Sequence, residues 1–201
     1  FHYLMPDVDG HNRVFMACQE CGHRPVLVAD AGFMYAAKMS GYAADYDLFT
    51  PDAGELAFLA DEKAPHPFYA RGFLLDSHDN VPGLLARASE HQNAARFMII
   101  KGARDAISEG GRIIHWVDEP QTPAMEAIGG TGDMVTGIVT GLLAGGMDLP
   151  LAALTAARAA RYAGSLAAPT PATQIAEILP FVPQALRKAL AQNGSGENGQ
   201  K

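Results

Sequence analysis

Apolar residues along this chain fall into two spacings. Residues 25–30 (PVLVAD) and 96–100 (RFMII) are short unbroken aliphatic runs, as expected of parallel strands buried on both faces. Residues 1–6 and 47–49 read as shorter strands. Residues 106–108 and 112–117 read as a hairpin across Glu109-Gly110-Gly111. Helical spacing covers 11–21, stopped by Gly22, and 33–39, stopped by Ser40-Gly41. Residues 8–10 read as a turn. In TPDAGELAFLADE, Thr50 is the expected cap and Pro51 suits a first helical turn. Glu55 follows in the first turns, and Leu56, Phe58 and Leu59 make the apolar stripe. Residues 81–95 are amphipathic, with Leu84, Leu85 and Ala88 on one face, and residues 66–79 show no resolvable pattern. Further helices are expected at 150–166, 173–179 and 183–191. The polar stretch 192–201 (QNGSGENGQK) reads as a disordered tail behind a single domain over 1–191. Strands alternating with helices predict an α/β fold with a mostly parallel central sheet.

The richest chemistry lies in residues 126–146, EAIGGTGDMVTGIVTGLLAGG. Gly129, Gly130, Thr131 and Gly132 read as a turn opening into a helix, with Asp133 just behind it. Free N–H groups at a helix start, with the helix dipole, favour an anion. An acid placed there repels a phosphate unless it has work of its own. General base catalysis is such work: Asp133 takes a hydroxyl proton while the Gly130, Thr131 and Gly132 amides hold a transferring phosphoryl group. The competing reading is an ordinary cap or first-turn acid. Lys101-Gly102 closes the second aliphatic run, where a lysine faces either a phosphate or solvent. Asp30 ends the first run, the edge at which open α/β sheets bind ligands.

Composition narrows the classes. The chain has 201 residues, 48% hydrophobic and 18% charged, enough for a globular core. A net charge of −7 argues against a general nucleic-acid surface. No apolar run reaches membrane-spanning length and no secretory signal opens the sequence, so the expectation is a cytoplasmic protein with no membrane partner. Cys18 and Cys21 in CQECGH lack a complete ligand set around them and are expected as free thiols without metal.

Four segments in order resemble the NAD(P)H-hydrate dehydratases of the ribokinase-like superfamily: VLVADAG, FTPDAGELAFL, IIKGARDAI and PAMEAIGGTGDMVTGIVTGLLAGG, followed by a similar tail, TQIAEILPFVPQALRKAL. The resemblance covers about residues 25–191. It implies a three-layer α/β/α fold, ATP or ADP as phosphoryl donor, and Mg²⁺. The reaction it implies is repair of an NAD(P)H hydrate: the hydrate hydroxyl is phosphorylated, then phosphate is eliminated. Carried over by position, Asp133 is the base, Gly130, Thr131 and Gly132 form the anion hole, and Lys101 and Gly102 lie near the nucleotide. Asp30, Asp52, Gly54 and Glu55 fall on the substrate side. No side chain is assigned to the metal.

The chain departs from that pattern at several places. Asp52-Ala53-Gly54-Glu55 lacks the family's histidine; Val28, Phe33 and Asp105 replace an aspartate, an asparagine and a threonine. A complete member has one further βα portion ahead of the region matching residues 1–25. The expectation is therefore a chain lacking that front portion and covering the exposed surface by forming a homo-oligomer. Two alternatives stay open: a ribokinase-like kinase for another small hydroxylated molecule, and a nucleotide-binding module without turnover.

Overall fold

A computed structural model describes residues 7–63 and 80–196. The strand expected at 1–6 and the unpatterned stretch 66–79 lie outside the described residues. The contacts divide the chain into two compact units: residues 1–101 with 108–114, and residues 102–107 with 115–201.

The first unit opens with helix α1, Val8–Gln19. Residues 8–10 are its first turn and not a loop, because Asp7 caps it by accepting the Gly10 N–H at 3.0 Å. Strand β1 is only Val28–Ala29. The aliphatic run is longer than its ladder because the Leu27 N–H is taken by the Asp47 carboxylate at 2.7 Å. Helix α2, Gly32–Ser40, ends at Gly41, whose φ of 76° is the left-handed cap that glycine accepts without strain. Strand β2, Leu48–Phe49, pairs in parallel with β1 and with β3, Phe97–Ile100; Leu48 lies opposite Val28 on one side and Phe97 on the other.

Helix α3, Ala53–Ala60, starts later than Thr50. Thr50 is fully buried and its N–H bonds the Ala29 carbonyl at 3.2 Å, so it belongs to the sheet. Asp52 is the cap, in a reciprocal box with Glu55. Helix α4, Val81–Glu90, buries Leu84, Leu85 and Ala88 as expected. It stops short of residue 95 because Gln92 turns left-handed and the Asn93 N–H closes on the Ala88 carbonyl at 2.8 Å.

Strands β4, Asp105–Glu109, and β5, Arg112–Val117, are joined by Gly110-Gly111, with φ of 55° and 79°. Two positive φ values in succession are the twist-matched hairpin turn. The sheet order is β1-β2-β3-β4-β5. Parallel pairing at β1–β3 together with the hairpin makes the sheet mixed.

The second unit is mainly helical: α5, Thr131–Ala144; α6, Leu149–Ala167; α7, Ile175–Ile178; and α8, Val182–Gly196. A short 3-10 turn, Pro123–Ala127, precedes α5. Alanines along α6 are fully buried, including Ala152, Ala156, Ala159 and Ala163, which lets α5 and α8 pack closely on it. The tail expected to be disordered from Gln192 is helical as far as Gly196. Its polar side chains have partners on α6: the Tyr162 hydroxyl donates to Gln192 at 3.2 Å, and Asn193 donates to Thr155 at 2.7 Å. No helix among the described residues is long and apolar enough to cross a membrane.

Candidate functional site

In the first unit, the ends of β1 and β3 and the start of α3 gather Asp30, Lys101, Asp52 and Glu55. Lys101 follows β3 and is fixed by its N–H on the Pro51 carbonyl at 2.8 Å. Its ammonium pairs with Asp30 Oδ1 at 3.0 Å and Oδ2 at 3.4 Å; the side chains are 17% and 2% exposed. Asp30 also accepts the Ala31 N–H at 2.9 Å, and Ala31 sits at φ 49°, a backbone conformation costly for alanine. Glu55 accepts the Asp52 N–H at 2.8 Å and the Tyr35 hydroxyl at 3.1 Å. Burial pushes the Glu55 carboxyl up to about 7; the Lys101 ammonium opposes that rise, and the Asp52 and Asp30 carboxylates add to it. Burial and the charge on Glu55 together push the Tyr35 phenol far above its usual value, so it stays a donor. This group can hold or release one proton near neutrality. Gly54 lies in the first turn of α3 and brings no side chain to it.

In the second unit, the glycine turn is open in a different sense. Gly130 is the N-cap of α5, with φ 91° and no side-chain cap. A β-carbon there would stand 3.2 Å from Ile175, so both backbone and packing call for glycine. Thr131 turns its hydroxyl away from the helix start and donates to the Ile128 carbonyl at 3.1 Å. Asp133 is the third residue of the helix, exposed, and so a first-turn acid and not the cap. A helix start without a side-chain cap, carrying an exposed carboxylate one turn in, is suited to an anion beside a proton acceptor.

Gly102 opens a third arrangement, also in the second unit. The Arg161 guanidinium, on α6, donates to Asp105 Oδ2 at 2.8 Å and to the carbonyls of Gly102 at 3.0 Å and Ala103 at 2.9 Å. Asp105 accepts the Gly102 N–H at 3.0 Å.

Of the residues expected from the sequence, Asp30, Lys101, Asp52 and Glu55 come together, as do Gly130, Thr131, Gly132 and Asp133. Lys101 is not a solvated lysine, since it is largely buried against Asp30. Sequence reasoning missed Tyr35 and Arg161. Tyr35 is a lone polar ring within an apolar helix pattern, and Arg161 is, with Arg158, one of two charges in an alanine-rich helix; each such intrusion marks a buried polar contact. Cys18 and Cys21 are free thiols. No group of three or more His, Cys, Asp or Glu side chains suited to a metal gathers among the described residues.

Comparison with known proteins adds four findings. The family described as NAD(P)H-hydrate dehydratase matches residues 12–180. The uncharacterized protein MJ1337 of Methanocaldococcus jannaschii is 40% identical over 190 residues, 94% of this chain and 79% of the relative. An ADP-dependent (S)-NAD(P)H-hydrate dehydratase of Cenarchaeum symbiosum is 31% identical over 138 residues, 69% of this chain and 42% of that protein. Among solved structures, phosphofructokinase-2 from Escherichia coli, in complex with fructose-6-phosphate, aligns with a TM-score of 0.53 at 15% identity. That alignment covers 89% of this chain and 52% of the other. At this identity the likeness concerns the fold alone, and it bears out the expected ribokinase-like α/β class.

Proposed function

We propose that this chain, which belongs to the NAD(P)H-hydrate dehydratase family, is an ADP- or ATP-dependent enzyme acting on an NAD(P)H hydrate. The observation that carries the reading is the start of α5, where an uncapped glycine turn precedes the exposed carboxylate of Asp133. Asp133 takes the proton of the substrate hydroxyl, and the freed oxygen attacks the terminal phosphoryl group. The amides of the Gly130-Thr131-Gly132 turn stabilise the charge that develops on the phosphoryl oxygens. The new phosphate ester then loses phosphate: the C–O bond breaks with its electron pair, and a proton leaves the adjacent ring carbon to restore the double bond. Hydroxide is a poor leaving group, and phosphorylation replaces it with phosphate, a far weaker base.

Lys101 supplies positive charge for the nucleotide phosphates, and Asp30, Asp52 and Glu55 line the substrate side. The archaeal relative named as ADP-dependent favours ADP as donor. Mg²⁺ is held largely by nucleotide phosphates with one or two carboxylates, so it needs no preformed cluster of three acidic side chains. The test is incubation of the hydrated cofactor with ADP or ATP, following both the return of dihydronicotinamide absorbance and nucleotide consumption. Regeneration is expected. Accumulation of a stable phosphate ester would make the protein a small-molecule kinase, and no consumption of either nucleotide would overturn the enzymatic reading.

A further inference from the structure

Arg161 and Asp105 are each only 10% exposed at the side chain, and Arg161 stands on α6, a helix whose buried surface is mostly alanine. Beyond its contacts to Asp105, Gly102 and Ala103, the guanidinium donates to the Asp118 carbonyl at 3.3 Å. Such pairing is what a desolvated guanidinium requires, and by itself it says nothing about function. The consequence lies in the peptide planes. In a trans peptide the carbonyl and the next N–H point in opposite directions. With the carbonyls of Gly102 and Ala103 both drawn to Arg161, the N–H groups of Ala103 and Arg104 face the other way, side by side on an exposed turn. Neither has an acceptor among the described residues. Successive amides aligned in this manner favour an anion.

We propose that Arg161 and Asp105 are positioning residues for phosphate recognition: they fix the turn after Lys101 so that the Ala103 and Arg104 amides receive a phosphate of a bound nucleoside diphosphate or triphosphate. The proposal rests on the nucleotide-dependent reading above and names a part of the chain that does not touch the nucleotide with its own side chain. Lysine cannot replace Arg161 here. A single ammonium lacks the planar fork that serves one carboxylate and three carbonyls at once.

The test compares Arg161→Met, Arg161→Lys and Asp105→Asn with the parent chain. Affinity for ADP and ATP is measured well below each melting temperature, alongside circular dichroism and competition by adenosine, which has no phosphate. Arg161→Met is expected to weaken ADP and ATP by about tenfold, the scale of one aligned hydrogen bond lost. Arg161→Lys restores little of that loss, and Asp105→Asn falls between. In turnover, the nucleotide KM rises more than kcat falls, and competition by adenosine is unchanged. If Arg161→Met does not fold, Asp105→Asn carries the same comparison, because an amide oxygen still accepts the Gly102 N–H. A lowered melting temperature with unchanged ADP and ATP affinity would reduce the pair to packing and overturn the proposal, as would full affinity in Arg161→Lys. Absence of nucleotide binding by the parent chain would overturn the broader reading too, and it would show before any variant is made.

Discussion

The charged group around Lys101 and the glycine turn at the start of α5 solve opposite problems. At Lys101 the protein buries charge and satisfies it with its own side chains: ammonium on Asp30, Tyr35 on Glu55, Glu55 on Asp52. At Gly130 it leaves a helix start without a side-chain cap and keeps the nearest acid exposed. The first arrangement stores its order in side chains, so a substitution there acts on stability first. The second stores its order in backbone, so a substitution there acts on chemistry or on strain.

The comparison breaks most visibly at Lys101. Lys101→Ala leaves the carboxylate of Asp30 buried without its cation, and chemical denaturation should show a loss of about 3 kcal/mol, the lower end for breaking a buried pair. Removing Asp30 as well should recover part of it; a fully additive double variant would mean the two charges do not interact. At the other region, Asp133→Asn keeps size and removes basicity. Turnover should drop by at least ~100-fold with little change in melting temperature. Retained turnover would leave Asp133 as a first-turn acid stabilising the helix by a few tenths of a kcal/mol to ~1 kcal/mol.

Gly130→Ala forces a side chain into a left-handed backbone position against Ile175, and a cost of about 1–3 kcal/mol should appear in denaturation curves. An unchanged midpoint would show that the turn relaxes freely. The smallest effect concerns Glu55. Its carboxyl titrates near 7 when folded and lower when unfolded, so the folded chain binds the extra proton between those values. That contribution to stability is present at acid pH and is lost as pH rises through about 7. Glu55→Gln still accepts in the capping box, so its melting temperature should depend less on pH between about 5 and 8, the pH-dependent difference amounting to a few °C. Parallel pH profiles for both proteins would place the proton elsewhere.

The alternation of strands and helices was readable because burial on both faces leaves an unmistakable aliphatic run, as in Phe97–Ile100. Element ends were less so. Thr50 looks like a cap by residue type, yet its N–H belongs to a sheet neighbour distant in the chain. Gln192 and Asn193 look like a disordered tail by composition, yet α6 supplies their partners. Within the candidate site, Asp133 and Gly130 are contiguous and could be read as a motif. The contacts of Tyr35 with Glu55 and of Arg161 with Asp105 span 20 and 56 positions, and no local pattern encodes such a distance.

Gly164 carries a consequence for the history of the chain. A β-carbon there would lie 2.8 Å from the Met125 sulfur and 2.9 Å from its Cγ. Met125 stands in the turn that leads into the glycine loop, and its carbonyl takes a hydrogen bond from Thr131 at 3.4 Å. The two positions are therefore not free to drift separately across a lineage. A lineage that acquires alanine at 164 is expected to carry a smaller residue at 125, and the glycine loop would inherit that change although its own letters stayed the same.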